Sequence, residues 1–337
     1  MIRVAVDAMG GDHAPRAEVA GALAALAEWP GTLQILLVGQ PDVIEAELAR
    51  HPAEARAGVT IVPASEVIGM AEAPLQAIRR KRDSSLVVGL ALQKEGRADA
   101  FISAGNTGAV LAGSTVILGL HDGVARATVA PLLPTATRPV LLLDAGANVD
   151  CTAKELVGFA WLGTIYMHDV LGREHPAVGL LSIGEEREKG NAAVKEAYAL
   201  LEQAAGIRFV GNIEGRDILA PRHPDQAADI VVCDGFVGNV LLKFYESAGR
   251  VVSQLLKQLM PEALERPESR EVLRILDYTT YGGAPLLGVQ GVSIICHGSS
   301  SGNAIKNAIG VASQSVASHL SAHIGAQFAQ RAEGGAA

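Results

Sequence analysis

The sequence predicts an α/β fold, a mainly parallel sheet with helices on both faces. Short apolar runs alternate with segments of helical period along the chain, the pattern of repeated βαβ units. Of the 337 residues, 49% are hydrophobic, and the mean hydropathy is +0.26, which suits strands buried on both faces. Glycine-rich polar turns follow several apolar runs and lead into the helical segments.

The apolar run RVAVDA makes residues 3–8 the first strand, and the helical period that follows gives a helix over 16–28. Strands at 33–38 and 59–62 flank a helix at 42–50. A helix at 85–95 precedes a strand at 98–103, and the small-residue turn SAGNTG starts a helix over 107–118. Residues 129–133 and 140–144 read as strands, followed by a long helix over 152–171. Strands at 178–183, 208–211 and 230–234 enclose a helix at 192–204. A helix at 239–260, a strand at 292–297 and a final helix over 303–331 complete the chain. Residues 1–332 read as a single unit with a central crevice, and 333–337 as a disordered tail.

Six small polar turns stand at carboxyl ends of strands: 7–12, 103–108, 144–148, 184–191, 234–239 and 297–303. In open α/β sheets such ends line a ligand crevice. Gly-Asn recurs at 105–106, 190–191, 238–239 and 302–303, where Asn can cap a helix and Gly admits close backbone approach. Several helix N-termini aimed at one pocket would hold an anion. The candidate catalytic groups are therefore Lys189, Asn106, Asn239 and His297. Ser103, Gly105, Thr107, Asp144, Asn148, Asp234, Ser299, Ser300 and Ser301 are the candidate substrate-binding residues. Lys189 reads either as a compact charge at the crevice or as a solvated lysine beside Glu185, Glu186 and Glu188. Asp7, Asp144 and Asp234 are expected to orient donors rather than to bind a metal.

Other chemistries lose support. The P-loop and dinucleotide fingerprints are absent. Residues 298–302 match G-x-S-x-G, but no acid followed by a His comes after Ser300, so the hydrolase order fails. Cys151, Cys233 and Cys296 show no metal spacing, although Cys151 near a helix start would favour a thiolate. His319 and His323 are four apart without an intervening H-E-x-x-H glutamate, which reads as a helix surface. A net charge of −8 and 4% aromatics argue against nucleic acid as a partner. No metal or cofactor is expected. The chain enters a strand directly, with no signal peptide expected, and a reduced cytoplasmic setting is the default. Arg79, Arg80, Lys81 and Arg82 form the one dense basic cluster, either a solvated face or a dock for an acidic partner.

The motifs VDAMGGDHAP (6–15), ASEVIGMAEAPLQAIRRKRDSS (64–85), SAGNTGA (103–109), DAGANVD (144–150), LSIGEEREKGN (181–191), NIEGRDI (212–218) and VVCDGFVGNVLLK (231–243), with the glycine-rich blocks between 281 and 309, closely resemble the bacterial phosphate acyltransferase family. The resemblance covers about residues 2–325. It departs at Phe244-Tyr245-Glu246-Ser247, where the family pattern has Glu-Gly after a less aromatic pair. The resemblance implies a fold similar to phosphotransacetylases and to isocitrate and isopropylmalate dehydrogenases. It also implies transfer of a long-chain acyl group from acyl carrier protein to inorganic phosphate for phospholipid synthesis, and a homodimer. The alternatives are an acyl-CoA phosphotransacylase, a non-catalytic phosphate- or metabolite-binding protein, and a decarboxylating dehydrogenase. The last lacks a nucleotide fingerprint and a metal-carboxylate cluster.

Within 239–260, Val252, Leu255, Leu256, Leu259 and Ala263 follow helical spacing. With Arg250 and Lys257 beside them and Pro261 and Pro267 beyond, residues 239–276 read as a projecting helical hairpin. Its apolar stripe suits either a membrane surface or a dimer or domain core. A labile, poorly soluble acyl phosphate would favour delivery at the bilayer, to a membrane-bound glycerol-3-phosphate acyltransferase. The localisation expected is cytoplasmic and in part peripheral to the membrane.

Overall fold

The computed structural model describes residues 1–135, 138–221, 227–260, 262, 266 and 282–334. Where the sequence suggests one body, the chain forms two compact units. Met1–Ala127 and Tyr281–Ala337 make the first, and Thr128–Thr280 the second.

In the first unit the chain runs β1 (Ile2–Asp7), α1 (Arg16–Glu28), β2 (Leu33–Gly39), α2 (Pro41–Leu48), β3 (Val59–Pro63), α3 (Pro74–Arg80), α4 (Ser85–Lys94), β4 (Ala100–Ser103) and α5 (Thr107–Gly113). The second unit contains β5 (Thr128–Val129), β6 (Leu132–Leu133), β7 (Val140–Leu143), α6 (Ala153–Asp169), β8 (Ala177–Leu181), α7 (Ala192–Glu202), β9 (Arg208–Ile213), β10 (Ile230–Val232) and α8 (Gly235–Leu259). The chain then returns to the first unit with β11 (Ala284–Leu287), β12 (Ser293–Ile295), α9 (Gly302–Ala317) and α10 (Leu320–Gly334).

The sheet of the first unit has the order β3-β2-β1-β4-β12-β11, parallel except for β11 against β12. Val4, Val6, Ile35, Leu37, Ile102 and Ile294 fill one face of it, with Val19 and Leu23 of α1 and Ile305 and Ile309 of α9. Helix α1 approaches α9 closely because Gly21 faces Ile305, where a Cβ would stand 2.6 Å from the Ile305 Cβ. The sheet of the second unit has the order β6-β7-β10-β8-β9, again parallel except at one edge, β6 against β7. Gly163 lets α6 lie against Leu143 and Ile230. Thr152 and Glu155 close a reciprocal capping box at its start.

Each sheet thus has its own set of three turns at adjacent strand ends. β1, β4 and β12 are followed by the turns at 7–12, 103–108 and 297–301. β7, β10 and β8 are followed by those at 144–148, 233–235 and 182–191. The long last helix of the sequence reading is two helices, because His319 adopts φ 55° and turns the chain between α9 and α10. The strand expected at 129–133 is two short pieces, and β11 and α3 had no counterpart in the sequence reading. Pro285 inside β11 explains part of this, since proline in an apolar run argues against a strand. Residues 333–334, expected in a disordered tail, end α10, and 335–337 lie outside the described residues. Pro261, Ala263 and the second arm of the expected hairpin, through 276, also lie outside them.

The tightest packing in the second unit is between the end of β7 and the start of α8. A Cβ on Gly238 would overlap the Asp144 carbonyl oxygen and stand 3.0 Å from the Cys233 sulfur. Backbone on one side and a strand end on the other leave nothing flexible to yield. Gly238→Ala is expected to lose about 3 kcal/mol of stability or more, read as a fall in unfolding midpoint.

Candidate active site

In the first unit, the buried carboxylate of Asp7 organises the strand-end turns. Its Oδ2 accepts from Ser103 Oγ at 2.7 Å and its Oδ1 from the Met9 N–H at 3.2 Å. Ser103 Oγ in turn accepts from the Gly105 N–H at 3.0 Å. Gly10 is required here, since a Cβ would stand 2.6 Å from Asp7 Oδ2 and 2.8 Å from the Gly105 nitrogen. The Asp12 N–H donates to the Gly298 carbonyl at 2.7 Å, which ties the first turn to the serine loop. Burial is the main influence on Asp7 and raises its pKa against the hydrogen bonds from Ser85, Ser103, Met9 and Gly10.

Asn106 caps α5, its Oδ1 accepting from the Ala109 N–H at 3.1 Å. Its Nδ2 donates to the carbonyls of Gly69, Met70 and Glu72 at 3.3, 3.1 and 3.1 Å. The side chain expected to touch substrate is occupied in holding the 69–72 segment. Thr107 is exposed at the first position of α5. Ser301 caps α9, Ser300 is buried, and Ser299 is exposed. His297 Nδ1 accepts from the Ser299 N–H at 3.2 Å and lies 2.8 Å from Ser299 Oγ. An N–H can only donate, so Nδ1 is the acceptor and the neutral ring carries its proton on Nε2.

The basic cluster divides. Lys81 Nζ bonds Glu72 Oε1 and the Val67 carbonyl, both at 2.6 Å, and braces the loop before α3. Its proposed place in a docking patch is lost to that strut. Arg79, Arg80 and Arg82 remain exposed.

In the second unit, Asp144 is wholly buried and each carboxylate oxygen takes two donors. Thr128 Oγ1 and the Val129 N–H reach Oδ1 at 3.1 and 3.0 Å. The Asn148 N–H and Nδ2 reach Oδ2 at 2.6 and 3.0 Å. Asp144 and Asn148 therefore build the turn. Asp234 caps α8 through the Val237 N–H at 2.9 Å. Asn239, which the Gly-Asn pattern suggested as a cap, lies inside α8 about one turn beyond the observed cap, because Asp234 reaches the free N–H groups first. Its side chain is exposed beside Gly146, whose φ of 125° leaves only 3.4 Å between an added Cβ and the Asn239 Cβ.

Lys189 lies exposed in the 182–191 turn, its stem packed over Gly184. Among the described residues no carboxylate pairs with its ammonium, despite the three glutamates nearby in sequence; Arg187 has paired with Glu202 instead. Asn191 caps α7. These turns border an open cavity of about 850 Å³ whose wall includes Val149, Cys151, Ile183, Val194, Phe236 and Val237. The sequence reading missed this wall. Its signal was present in the exposed apolar positions interleaved with the polar turn residues, such as Ile183 after Ser182 and Phe236 after Gly235.

The cysteine at the helix start does not become a thiolate. Burial, with Asp144, Glu155 and Asp234 nearby, pushes the Cys151 pKa to about 11. Cys233 and Cys296 are buried with raised values. His319 and His323 flank the start of α10, and among the described residues no group of three His, Cys, Asp or Glu side chains is arranged to hold a metal.

A family profile described as a fatty acid synthesis protein matches residues 2–323. A phosphate acyltransferase of Heliobacterium modesticaldum is 49% identical over 331 residues, covering 96% of each chain. The chain belongs to the phosphate acyltransferase family. A second member, from Nostoc punctiforme, is 46% identical and covers 99% of this chain and 98% of its own. Among solved structures, a phosphotransacetylase from Streptococcus pyogenes overlays at a TM-score of 0.64 and 18% identity, covering 94% of each chain. That likeness establishes the phosphotransacetylase type of α/β fold for this member of the phosphate acyltransferase family.

Glu18 was not singled out by sequence. It sits in the first turn of α1, 1% exposed, and among the described residues its Oε2 has no hydrogen-bond partner. A Cβ on Gly11 would stand 3.2 Å from its Oε1 and 3.1 Å from the Gly298 carbonyl, so the carboxyl lies directly beneath the joined turns. Burial, and secondarily the charge of Asp7, pushes its pKa from 4.5 to about 8. The folded chain therefore holds a proton that the unfolded chain releases, and stability falls as pH rises from about 4.5 to 8, by up to roughly 5 kcal/mol. Glu18→Gln is expected to flatten that decline, measured as denaturant midpoints between pH 5 and pH 9.

Proposed function

We propose that this phosphate acyltransferase moves a long-chain fatty acyl group from acyl carrier protein to inorganic phosphate, giving acyl phosphate and free carrier protein. The observation that carries this reading is the Lys189 ammonium, unpaired among the described residues, in a strand-end turn beside an apolar cavity. A phosphate oxygen attacks the thioester carbonyl carbon, and a tetrahedral oxyanion forms. It collapses as the C–S bond breaks and the pantetheine sulfur leaves with the electron pair. Phosphate is already an anion and a thiolate leaves readily, so the site needs charge and orientation more than a strong base.

Lys189 and Asn239 are the proposed donors to phosphate and oxyanion. Ser299, Ser300 and the α9 start, with His297 beside Ser299, are proposed as the phosphate-cradling loop of the first unit. Ser103, Gly105 and Asn106 act as positioning residues that hold this loop's neighbour in shape, as Asp144, Asn148 and Asp234 do in the second unit. Arg79, Arg80 and Arg82 are the proposed landing point for the acidic carrier protein. The neutral Cys151 thiol supports direct transfer without an acyl-enzyme.

The test is to supply hexadecanoyl carrier protein and phosphate and trap acyl phosphate with hydroxylamine. Lys189→Ala should lower phosphate-dependent turnover tenfold or more with an unchanged unfolding midpoint, while Cys151→Ala retains substantial turnover. Equal use of acyl-CoA would favour the coenzyme A reading. No hydroxamate with either donor would leave a phosphate-binding protein.

We further propose that α8 meets a membrane surface, where a labile acyl phosphate is handed to a glycerol-3-phosphate acyltransferase. Among the described residues no helix is long and apolar enough to cross a membrane. The first half of α8 is anchored by Tyr245, whose hydroxyl donates to the Pro134 carbonyl at 3.0 Å. Its last turns leave Val252 40%, Leu255 48% and Leu259 75% exposed, with Leu256 half-buried. Arg250 and Lys257 flank them. Replacing Leu255 and Leu259 together by Glu should abolish sedimentation with anionic liposomes and leave transfer in solution intact. A double variant that falls from dimer to monomer would instead make the stripe a subunit interface.

A further inference from the structure

We infer that the cavity of the second unit receives the fatty acyl chain of the substrate, and that Ile183 and Phe236 set how long a chain is accepted. The inference rests on the acyl-transfer reading above and names which part of that substrate this cavity takes. The wall is apolar where a soluble surface usually is not. Ile183 is 84% and Phe236 62% exposed, with Val149 and Val237 also open, and Leu156, Leu181 and Val194 behind them. Large apolar side chains gathered around one concavity mark a binding surface rather than scattered surface residues.

The charges of the wall say what the occupant is not. Among the described residues, Asp150 and Asp234 are the only charged ones that line the cavity, and both are acidic. Such a wall repels inorganic phosphate and the phosphates of a nucleotide-bearing carrier, and it offers no cation to pair with them. The Lys189 ammonium stands outside the lining, in the turn between Ser182 and Asn191 that borders it. An uncharged apolar chain is the chemistry that fits. A volume of about 850 Å³ lies within the roughly 300–1,000 Å³ of sites that enclose drug-sized ligands, far more than an acetyl group needs.

One polar atom inside the wall points to the reacting end. Ser182 Oγ is buried and has no hydrogen-bond partner among the described residues. It lies 3.0 Å from where a Gly190 Cβ would be, at the foot of the Lys189 turn. Ser182 lines the cavity, and a turn of its side chain about χ1 would bring that hydroxyl to a thioester carbonyl there. With the carbonyl so held, the chain runs along Ile183 and Phe236 and the carbonyl stays at the lysine end.

S-hexadecanoyl-pantetheine and S-acetyl-pantetheine, titrated calorimetrically into the full chain, test this without any turnover. The wild type is expected to bind the hexadecanoyl compound at least a hundredfold more tightly. Ile183→Asp and Phe236→Ala change exposed side chains, so their unfolding midpoints should stay within a degree or two. Each should weaken hexadecanoyl binding tenfold or more and acetyl binding less than twofold. In the hydroxylamine assay the same variants should raise the KM ratio of long to short acyl donors. Equal binding of both compounds by the wild type, or an unchanged long-to-short ratio in both folded variants, overturns the inference. Tight, variant-sensitive hexadecanoyl binding without any acyl phosphate would uphold the chain site and overturn the transfer reading.

Discussion

The buried carboxylate of Asp144 is the constraint on which the second unit's site depends. A carboxylate without water is costly unless its lone pairs are met, and four donors from two segments meet them here. Those bonds fix the turn after β7, hold Asn148, and through the Asn148 carbonyl receive the Gly235 N–H at 2.7 Å. The start of α8 is thereby set against the end of β7, with no room for a side chain at Gly235 or Gly238. Asp234, Phe236 and Val237 project from that fixed start, so one buried acid positions both the polar and the apolar sides of the cavity mouth.

Asp7 has the same role in the first unit, with Ser103 and the Met9 N–H as its donors. In both units a strand ends in an aspartate that turns inward, and the next residues give up side chains so that backbone can close around it. This leaves the N–H groups of the following helices in fixed positions, which is what recognition of an anion requires. The rigidity comes with a buried acid in each turn, and in the first unit with a second, Glu18, which keeps its proton at neutral pH. A neutral Glu18 leaves the area beneath the turns less negative than its composition suggests.

Polar turns and apolar wall divide the chemistry between them. The substrates of acyl transfer to phosphate are as unlike as two groups can be, an anion and a hydrocarbon, and a single lining cannot serve both. The second unit places acidic and apolar residues in the cavity and Lys189, unpaired among the described residues, on the adjoining turn. Burial, with carboxylates nearby, raises the pKa of all three cysteines and disfavours their thiolates.

The alternation of apolar runs and helical segments was enough to place most strands and helices within a few residues, since parallel strands buried on both faces must be continuously apolar. The motif blocks were enough to place the chain in its family, and Gly-Asn correctly marked the caps at Asn106 and Asn191. What sequence could not contain is which polar groups face each other. Asn106 and Lys81 look free in the sequence and are taken up by the 67–72 segment, over thirty residues from Asn106. Lys189 sits among glutamates in the sequence and pairs with none of them among the described residues. The division of six turns into two sets of three also followed from strand order, because β12 returns to pair with β4 after the whole second unit has intervened. Local pattern fixes the elements because backbone hydrogen bonding and side-chain period act over a few residues. Pairing of strands and of buried charges is decided by contacts between residues far apart in the chain, and those exist only once it has folded.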